Sequence, residues 1–279
     1  MNEIGSVRLD GGVRIPQLGL GVFQVPPADA QRVVEYALEI GYRHIDTAAA
    51  YNNESGVGAA VKASGLPREE VFLTSKLRNG EQGFDSARSA YADSCARLAV
   101  DALDLYLIHW PFPSAGHYLD SWHALERLKA EGAVRAVGVS NFLPEHLDEL
   151  ARRSSLTPAV NQIELHPSFQ QRALVADTMR RGISVQAYSP LGQGADLDAP
   201  EVQAVAEAHG VTPAQVILRW HLQSGFIVIP KSNTPARLVE NLDVAGFSLT
   251  PSEQDAVTAL DAGVRIGGDP ATFALSQIR

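Results

Sequence analysis

VFLTSKL (71–77), LDLYLIHW (103–110) and VRAVGVS (134–140) are short runs of apolar and β-branched residues, each set off from the next by a longer segment of mixed polarity. Strands covered on both faces read as near-continuous apolar runs of this kind. Between the second and third runs, Leu119, Trp122, Leu125 and Leu128 recur every three residues, which marks one face of a helix. A strand, a helix and another strand in succession imply parallel pairing. Working outward, LGLGV (18–22) and YRHID (42–46) come before these runs, and AVNQIEL (159–165), ISVQAYS (183–189) and FIVIPKS (226–232) follow them. Two helix starts are explicit. Thr212-Pro213-Ala214-Gln215 and Thr250-Pro251-Ser252-Glu253 are capping boxes with proline at the first helical position. Leu238, Val239 and Leu242 are expected on one apolar helix face. About eight strand–helix units in ~250 residues is the count of a (β/α)8 TIM barrel. The expectation is an α/β fold with a single barrel domain over residues 1–279. The opening VRLDGGVRI (7–15) carries the turn residues Asp10-Gly11-Gly12 between two apolar runs. It reads as a β-hairpin ahead of the first barrel strand, placed to plug the bottom.

Composition narrows the function classes. The 279 residues carry 23 Lys and Arg against 32 Asp and Glu, a net charge of −9, which disfavours a phosphate backbone as partner. The one cysteine, Cys95, excludes an internal disulfide framework. The opening MNEIGSVRLD lacks the charged start and apolar stretch of a signal peptide, and no apolar run reaches the ~20 residues of a membrane span. A cytoplasmic monomer is expected, with neither nucleic acid nor membrane as partner. The eight histidines show no H-x-H or H-E-x-x-H spacing, so no metal site is expected.

In a barrel of this kind the reactive groups lie at the C-terminal ends of the strands. The strand ends here are Asp46, Lys76, His109 with Trp110, Ser140 with Asn141, Gln162, Tyr188 with Ser189, and Lys231 with Ser232. Each alone has a plainer role, as turn residue, packed histidine or snorkelling lysine. Together they converge on one mouth, where isolated charges are costly unless paired. Asp46 and Lys76, on adjacent strands, can neutralise each other. Tyr51 follows in the loop after the Asp46 strand and can hang over the same mouth. A lysine cation beside it is expected to lower its pKa from about 10 toward the working range, which would make a general acid.

GYRHIDTAAAYNNESGVG (41–58), VFLTSKL, DLYLIHWP, VGVSNF, NQIELHP and IPKSNTPARLVEN together resemble the aldo-keto reductases, in order and over nearly the whole chain. The similarity is nearest to the bacterial branch related to 2,5-diketo-gluconate reductases. The resemblance implies NADPH-dependent reduction of a small-molecule carbonyl substrate. It implies that Tyr51 donates the proton, Lys76 and Asp46 tune it, and His109 orients the carbonyl. The nicotinamide amide would be held by Ser140, Asn141 and Gln162, and its ring would stack on Tyr188. Ser189, Pro190, Leu191 and the Gly192–Gly194 loop would cover the pyrophosphate. Gly21 and Val22 would join the cofactor wall, and Glu240 and Asn241 would touch the adenine.

The cofactor site also has a physical argument. There is no G-x-G-x-x-G and no P-loop. Instead Lys231, Ser232, Asn233 and Thr234 lead into a helix that starts at Pro235 and carries Arg237. A helix N-terminus is an anion site, and two cations in an acidic protein suit the 2′-phosphate of NADPH. Phe23, Trp110 and the Tyr51 ring are expected to wall the substrate. The loop 111–118 and the tail after the last helix are short, so the pocket is expected to be open and loosely selective. Two positions depart from the family pattern: Arg78 where many members have tryptophan, and Ser168 where many have an aromatic. Neither belongs to the proposed catalytic set. Two other functions compete: a Schiff-base aldolase using a strand lysine, and an NADPH-sensing regulatory subunit of the same fold.

Overall fold

The computed structural model describes residues 4–275. The parts of the one-domain reading at residues 1–3 and 276–279 lie outside the described residues. The chain begins with β1 (Ser6–Arg8) and β2 (Arg14–Pro16), an antiparallel pair joined by a turn in which Gly11 takes φ +76°. Then follow β3 (Leu20–Gly21), α1 (Pro27–Ile40), β4 (His44–Asp46), α2 (Glu54–Ala63), β5 (Phe72–Leu77), α3 (Phe84–Leu98), β6 (Leu103–Ile108), α4 (Tyr118–Ala130) and β7 (Val134–Ser140). Next come α5 (Pro144–Arg153), β8 (Val160–Glu164), α6 (Arg172–Arg180), β9 (Ser184–Tyr188), α7 (Pro200–His209), α8 (Pro213–Gln223), β10 (Ile227–Val228), α9 (Pro235–Leu242) and α10 (Pro251–Thr258).

Strands β3 to β10 form one parallel sheet in chain order. A parallel bridge between Leu18 and Val228 joins its two edges, backed by Gly19 N–H to Val228 O (2.8 Å) and Gly21 N–H to Pro230 O (3.1 Å). The result is a closed eight-stranded barrel ringed by helices, as the strand spacing predicts. The capping boxes at Thr212 and Thr250 are both present.

The two-residue period of a strand sorts side chains between inside and outside. Leu73 and Leu77 of β5, and Tyr106 and Ile108 of β6, face the helix layer, while Phe72, Leu105 and Leu107 belong to a second apolar cluster inside the barrel. Leu9 and Ile15 of the hairpin pack into that inner cluster, so the hairpin seals the bottom. The same alternation carries Thr74 and Lys76 up the inner face of β5 to the open end. Polar groups at the strand ends therefore meet above an apolar floor.

One helix face differs from the expectation. Leu238 of α9 is buried, but Val239 is 47% exposed. Successive residues of an α-helix point about 100° apart, and the eight-residue α9 rests on buried Leu238 and Asn241 and on half-buried Leu242.

Helix α2 packs so closely on the end of α3 that a methyl group on Gly58 would lie 2.2 Å from the carbonyl oxygen of Leu98. Helix propensity alone favours Gly58→Ala by ~1 kcal/mol. Overpacking against a rigid backbone costs ~1–3 kcal/mol and should win. Urea unfolding should show a lower midpoint at unchanged slope; a raised midpoint would show that the two helices part freely.

Candidate active site

Asp46 ends β4, Lys76 lies one residue before the end of β5, and His109 follows β6. Tyr51 closes a short 3-10 turn, Ala49–Tyr51, between β4 and α2. That turn is pinned on both sides. Asn53 accepts from the Thr47 hydroxyl (2.8 Å) and donates to the carbonyls of Val22 (2.9 Å) and Val25 (3.1 Å). The Arg78 guanidinium donates to Ala49 O (2.5 Å) and Asn52 Oδ1 (3.0 Å). Arg78, a departure from the family pattern, thus braces the turn that presents Tyr51.

Lys76 and Asp46 form an ion pair with neither side chain accessible to water. Lys76 Nζ also donates to Thr47 O (2.8 Å) and lies 3.5 Å from the Tyr51 hydroxyl, and Gln162 Nε2 donates to the other Asp46 oxygen (2.7 Å). Burial pulls both partners toward neutrality, Asp46 upward and Lys76 downward, and in each the charge of the other opposes it. With its ammonium committed in this way and no exposed face, Lys76 offers no free amine to a carbonyl carbon. The geometry therefore does not support a Schiff-base aldolase.

Tyr51 departs from the sequence expectation. Its pKa is not lowered: burial raises it well above 10, and the Asp46 carboxylate adds to the effect. The lysine charge is largely balanced by Asp46, so desolvation of the phenolate wins. Tyr51 is a neutral phenol at neutral pH. The His109 ring packs edge-on to it with centroids 5.6 Å apart. Burial, then the charges of Lys76 and Arg78, push the His109 pKa well below 6.5, so the imidazole is neutral. Its Nδ1 is buried without a hydrogen-bond partner.

Opposite these groups stands a polar ladder. Tyr188 OH donates to Asn141 Oδ1 (2.9 Å), Asn141 Nδ2 donates to His109 O (3.0 Å), and the Ser140 hydroxyl donates to Gln162 O (2.8 Å). Asn141 and Ser189 adopt φ of +64° and +48°, left-handed backbone that a non-glycine residue holds only at a cost. A cavity of about 220 Å³ brings together Gly21, Phe23, Asp46, Tyr51, His109, Trp110, Ser140, Asn141, Gln162, Tyr188, Ser189 and Lys231. Val22, Pro190, Leu191, Gly192, Ser232, Asn233, Thr234, Arg237, Glu240 and Asn241 are not part of its lining. Val22 is buried in the core, and Pro190 O faces His221 Nε2 at 3.0 Å. Leu191 and Gly192 open the turn after β9. Lys231 and Arg237 are exposed beside the start of α9, where Asn233 Oδ1 is buried without a partner. Glu240 accepts from the Thr212 hydroxyl (2.7 Å), and Asn241 is buried under the helix.

The tail adds a wall that the sequence reading did not foresee. Phe273 stacks on Trp110 with centroids 3.9 Å apart and planes at 15°, and Gly267, Gly268 and Phe273 all line the cavity. The tail is tied down at Glu164, whose carboxylate accepts from the N–H groups of Ile266 (2.6 Å) and Gly267 (2.7 Å). Sequence reasoning missed these residues, along with His166 and Asp196. Glu164 had a signal: it shares the inner face of β8 with Gln162 by strand alternation. The tail had none, because residues 259–275 show no helix or strand period.

Comparison with known proteins follows from this geometry. The family model described as Aldo/keto reductase family matches residues 16–262. The chain is 50% identical over 267 residues to an aldo-keto reductase of Mycolicibacterium smegmatis, covering 96% of this chain and 97% of that protein. It is 45% identical over 269 residues to the methylglyoxal reductase DkgA of Escherichia coli, covering 96% and 97%. Among solved structures, a mutant of Gox0644 in complex with NADPH matches with a TM-score of 0.93 at 46% identity, covering 96% of this chain and 98% of that one.

One buried cluster makes the fold pH-sensitive. Burial alone would lower the His166 pKa, but Asp196 and then Glu164 raise it to about 9. The facing titratable groups are Tyr188, pushed up by burial and then Glu164, and His221, pushed down to about 3 by burial. The folded pKa of His166 exceeds the ordinary 6.5. Its stabilisation is therefore complete below about pH 6.5 and is lost as pH rises through 9, by ~1–3 kcal/mol in all. Unfolding free energy measured across that range should fall, and Asp196→Asn should flatten the slope. An equally steep slope in Asp196→Asn would place the titration elsewhere.

Proposed function

The chain belongs to the aldo/keto reductase family, and from that premise we propose that it reduces small aldehydes and ketones to alcohols with NADPH. The observation that carries this reading is one cavity shared by the Tyr51 hydroxyl, the His109 ring, and a wall of Ser140, Asn141, Gln162 and Tyr188. The residues present fit the cofactor. The wall offers amide and hydroxyl groups with an aromatic ring beside them. The rim adds exposed Lys231 and Arg237 at a helix start, with the orphaned Asn233 Oδ1 between them. Lys231 and Arg237 would hold the 2′-phosphate; Ser140, Asn141 and Gln162 the carboxamide; and Tyr188 the ring. NADPH, when bound, supplies the hydride for the carbonyl carbon.

The protein's own groups do the rest. His109, neutral and next to Tyr51, orients the carbonyl oxygen by hydrogen bonding. Tyr51 holds its proton until that oxygen gains negative charge, then donates it. The phenolate left behind meets the Lys76 ammonium, 3.5 Å away in the resting structure. Asp46 keeps that ammonium charged in a site where burial opposes charge. Because Tyr51 has a raised pKa, its proton is present across the neutral range.

Substrate size follows from the walls. Phe23, Tyr51, Trp110 and Phe273 bound a cavity of about 220 Å³, room for a small molecule and too little to enclose a steroid. We assign it α-dicarbonyls such as methylglyoxal, aromatic aldehydes, and keto-sugars or keto-acids. The name of the similar Escherichia coli protein, methylglyoxal reductase, supports the first class. An absorbance screen of NADPH oxidation across these classes tests the assignment. A non-catalytic NADPH sensor would bind the cofactor and turn nothing over.

Tyr51→Phe should lower kcat by ~10²–10⁴ and leave the Kd for NADPH near that of the parent, since only the proton donor is removed. Turnover close to the parent rate would make another residue the acid. Arg237→Ala should weaken NADPH by roughly 1.5–3 kcal/mol at low salt and NADH far less. The loss should shrink as salt rises, because Arg237 is exposed. Equal weakening of both cofactors would place Arg237 away from the 2′-phosphate.

A further inference from the structure

Glu164, His166 and Asp196 form a continuous buried chain that the catalytic reading leaves unused. His166 Nε2 meets Glu164 Oε1 at 3.1 Å, and His166 Nδ1 meets Asp196 Oδ2 at 3.0 Å. Each ring nitrogen faces a carboxylate, so the ring bonds both only when it carries both protons. The outer ends of the chain reach two separate segments. Glu164 receives the N–H groups of Ile266 and Gly267 in the tail. Asp196 lies in the loop after β9, and its carboxylate also receives Ser168 N–H (3.4 Å).

Both segments meet the chain at a glycine. A methyl group on Gly267 would lie 2.5 Å from Glu164 Oε2, and one on Gly192 would lie 2.6 Å from Asp196 Oδ2 and 3.2 Å from His166 Nδ1. The backbone at each end thus sits directly on a carboxylate. Both segments also line the cavity, the tail through Gly267 and the loop through Gln193. The tail is the wall that stacks Phe273 on Trp110, and the loop contains Gly192–Gly194, which the family resemblance places over the cofactor pyrophosphate.

We infer that Glu164, His166 and Asp196 are positioning residues that couple the tail at 265–268 to the loop at 192–196, so that the substrate wall and the cofactor cover close as one unit. This inference rests on the proposed function only in taking NADPH to bind at this mouth. The coupling itself is a property of the ligand-free protein. An ion chain with one shared imidazolium transmits the loss of either end to the other. If Asp196 loses its charge, His166 loses the partner that favours its second proton, and Glu164 loses the cation that fixes the rotamer receiving the tail. Coupling of this kind is reciprocal.

Hydrogen exchange of the full-length, cofactor-free protein at neutral pH tests this. Asp196→Asn touches no tail residue. It should nonetheless speed exchange at Ile266 and Gly267 by about tenfold, the scale of one lost charge-assisted hydrogen bond, with β5 and β6 amides unaffected. Gly267→Ala, which keeps all three side chains of the ion chain but forces the tail and the Glu164 carboxylate apart, should speed exchange across 192–196. If either variant folds and changes only its own segment, the coupling is overturned. Adding NADPH to the parent protein should slow exchange at Ile266 and Gly267, and should do so far less in Asp196→Asn. Slowing confined to 192–196, with NADPH bound, also overturns the coupling. A parent protein that does not bind NADPH defeats the cofactor reading instead, and the cofactor-free comparison still decides the inference.

Discussion

The ion pair between Asp46 and Lys76 is the constraint around which the mouth of the barrel is arranged. Both charges are buried, and a buried pair is tolerated only where its remaining hydrogen-bonding capacity is met. Gln162 meets the second Asp46 oxygen, and the Thr47 carbonyl meets a second Lys76 proton. That requirement ties the ends of β4, β5 and β8 to one another across the mouth. It also leaves the ammonium one free direction, and Tyr51 occupies it. The turn that carries Tyr51 is braced by Asn53 and Arg78, so the phenol has little freedom to leave. Removing either ion would strand the other in a low-dielectric site and would loosen the neighbours that depend on it.

The barrel was legible because its signals are local. Its strands are short apolar runs, α1, α5, α7, α8, α9 and α10 start with a proline, and strand alternation sends Asp46, Lys76 and Gln162 to one face of the sheet. The proposed catalytic set could be gathered from that rule and from the motifs. What the sequence could not show were balances between opposing effects. A lysine beside a tyrosine suggests a lowered pKa, yet the outcome depends on how much of the lysine charge Asp46 cancels and how dry the site is. The same limit applies to Val239: a run of apolar residues in a short helix does not reveal which of them faces the barrel.

The tail was illegible for a different reason. Residues 259–275 have no periodic pattern, so nothing local placed them against the cavity. Its position is set by long-range contacts: Glu164 with Ile266 and Gly267, Arg265 over the Phe169 ring at 4.6 Å, and Phe273 on Trp110. None of these has a short-range sequence signature. Gly267 and Gly268 become informative only once the carboxylate of Glu164 and the ring of Phe273 are seen against them.

On the proposed reading, the distribution of charge across the mouth lets an acidic protein serve an anionic cofactor and an uncharged carbonyl group at once. At the reacting end, Asp46 and Lys76 cancel, while Tyr51 and His109 are uncharged. A carbonyl entering there meets dipoles and no net field, so the strongest interaction arises only when its oxygen becomes negative and the phenol and ammonium are both at hand. Such selectivity for the charged transition state over the neutral ground state is what lowers a barrier, because an interaction present in both states would only tighten binding. The cations at Lys231 and Arg237 stand apart, at the exposed rim, where solvent lowers the cost of holding them unpaired and a phosphate can reach them. Moving either cation inward would bind the ground state more tightly and lower the His109 pKa further. The separation of compensated charge at the reacting end from free charge at the rim is therefore itself a functional feature of the barrel mouth.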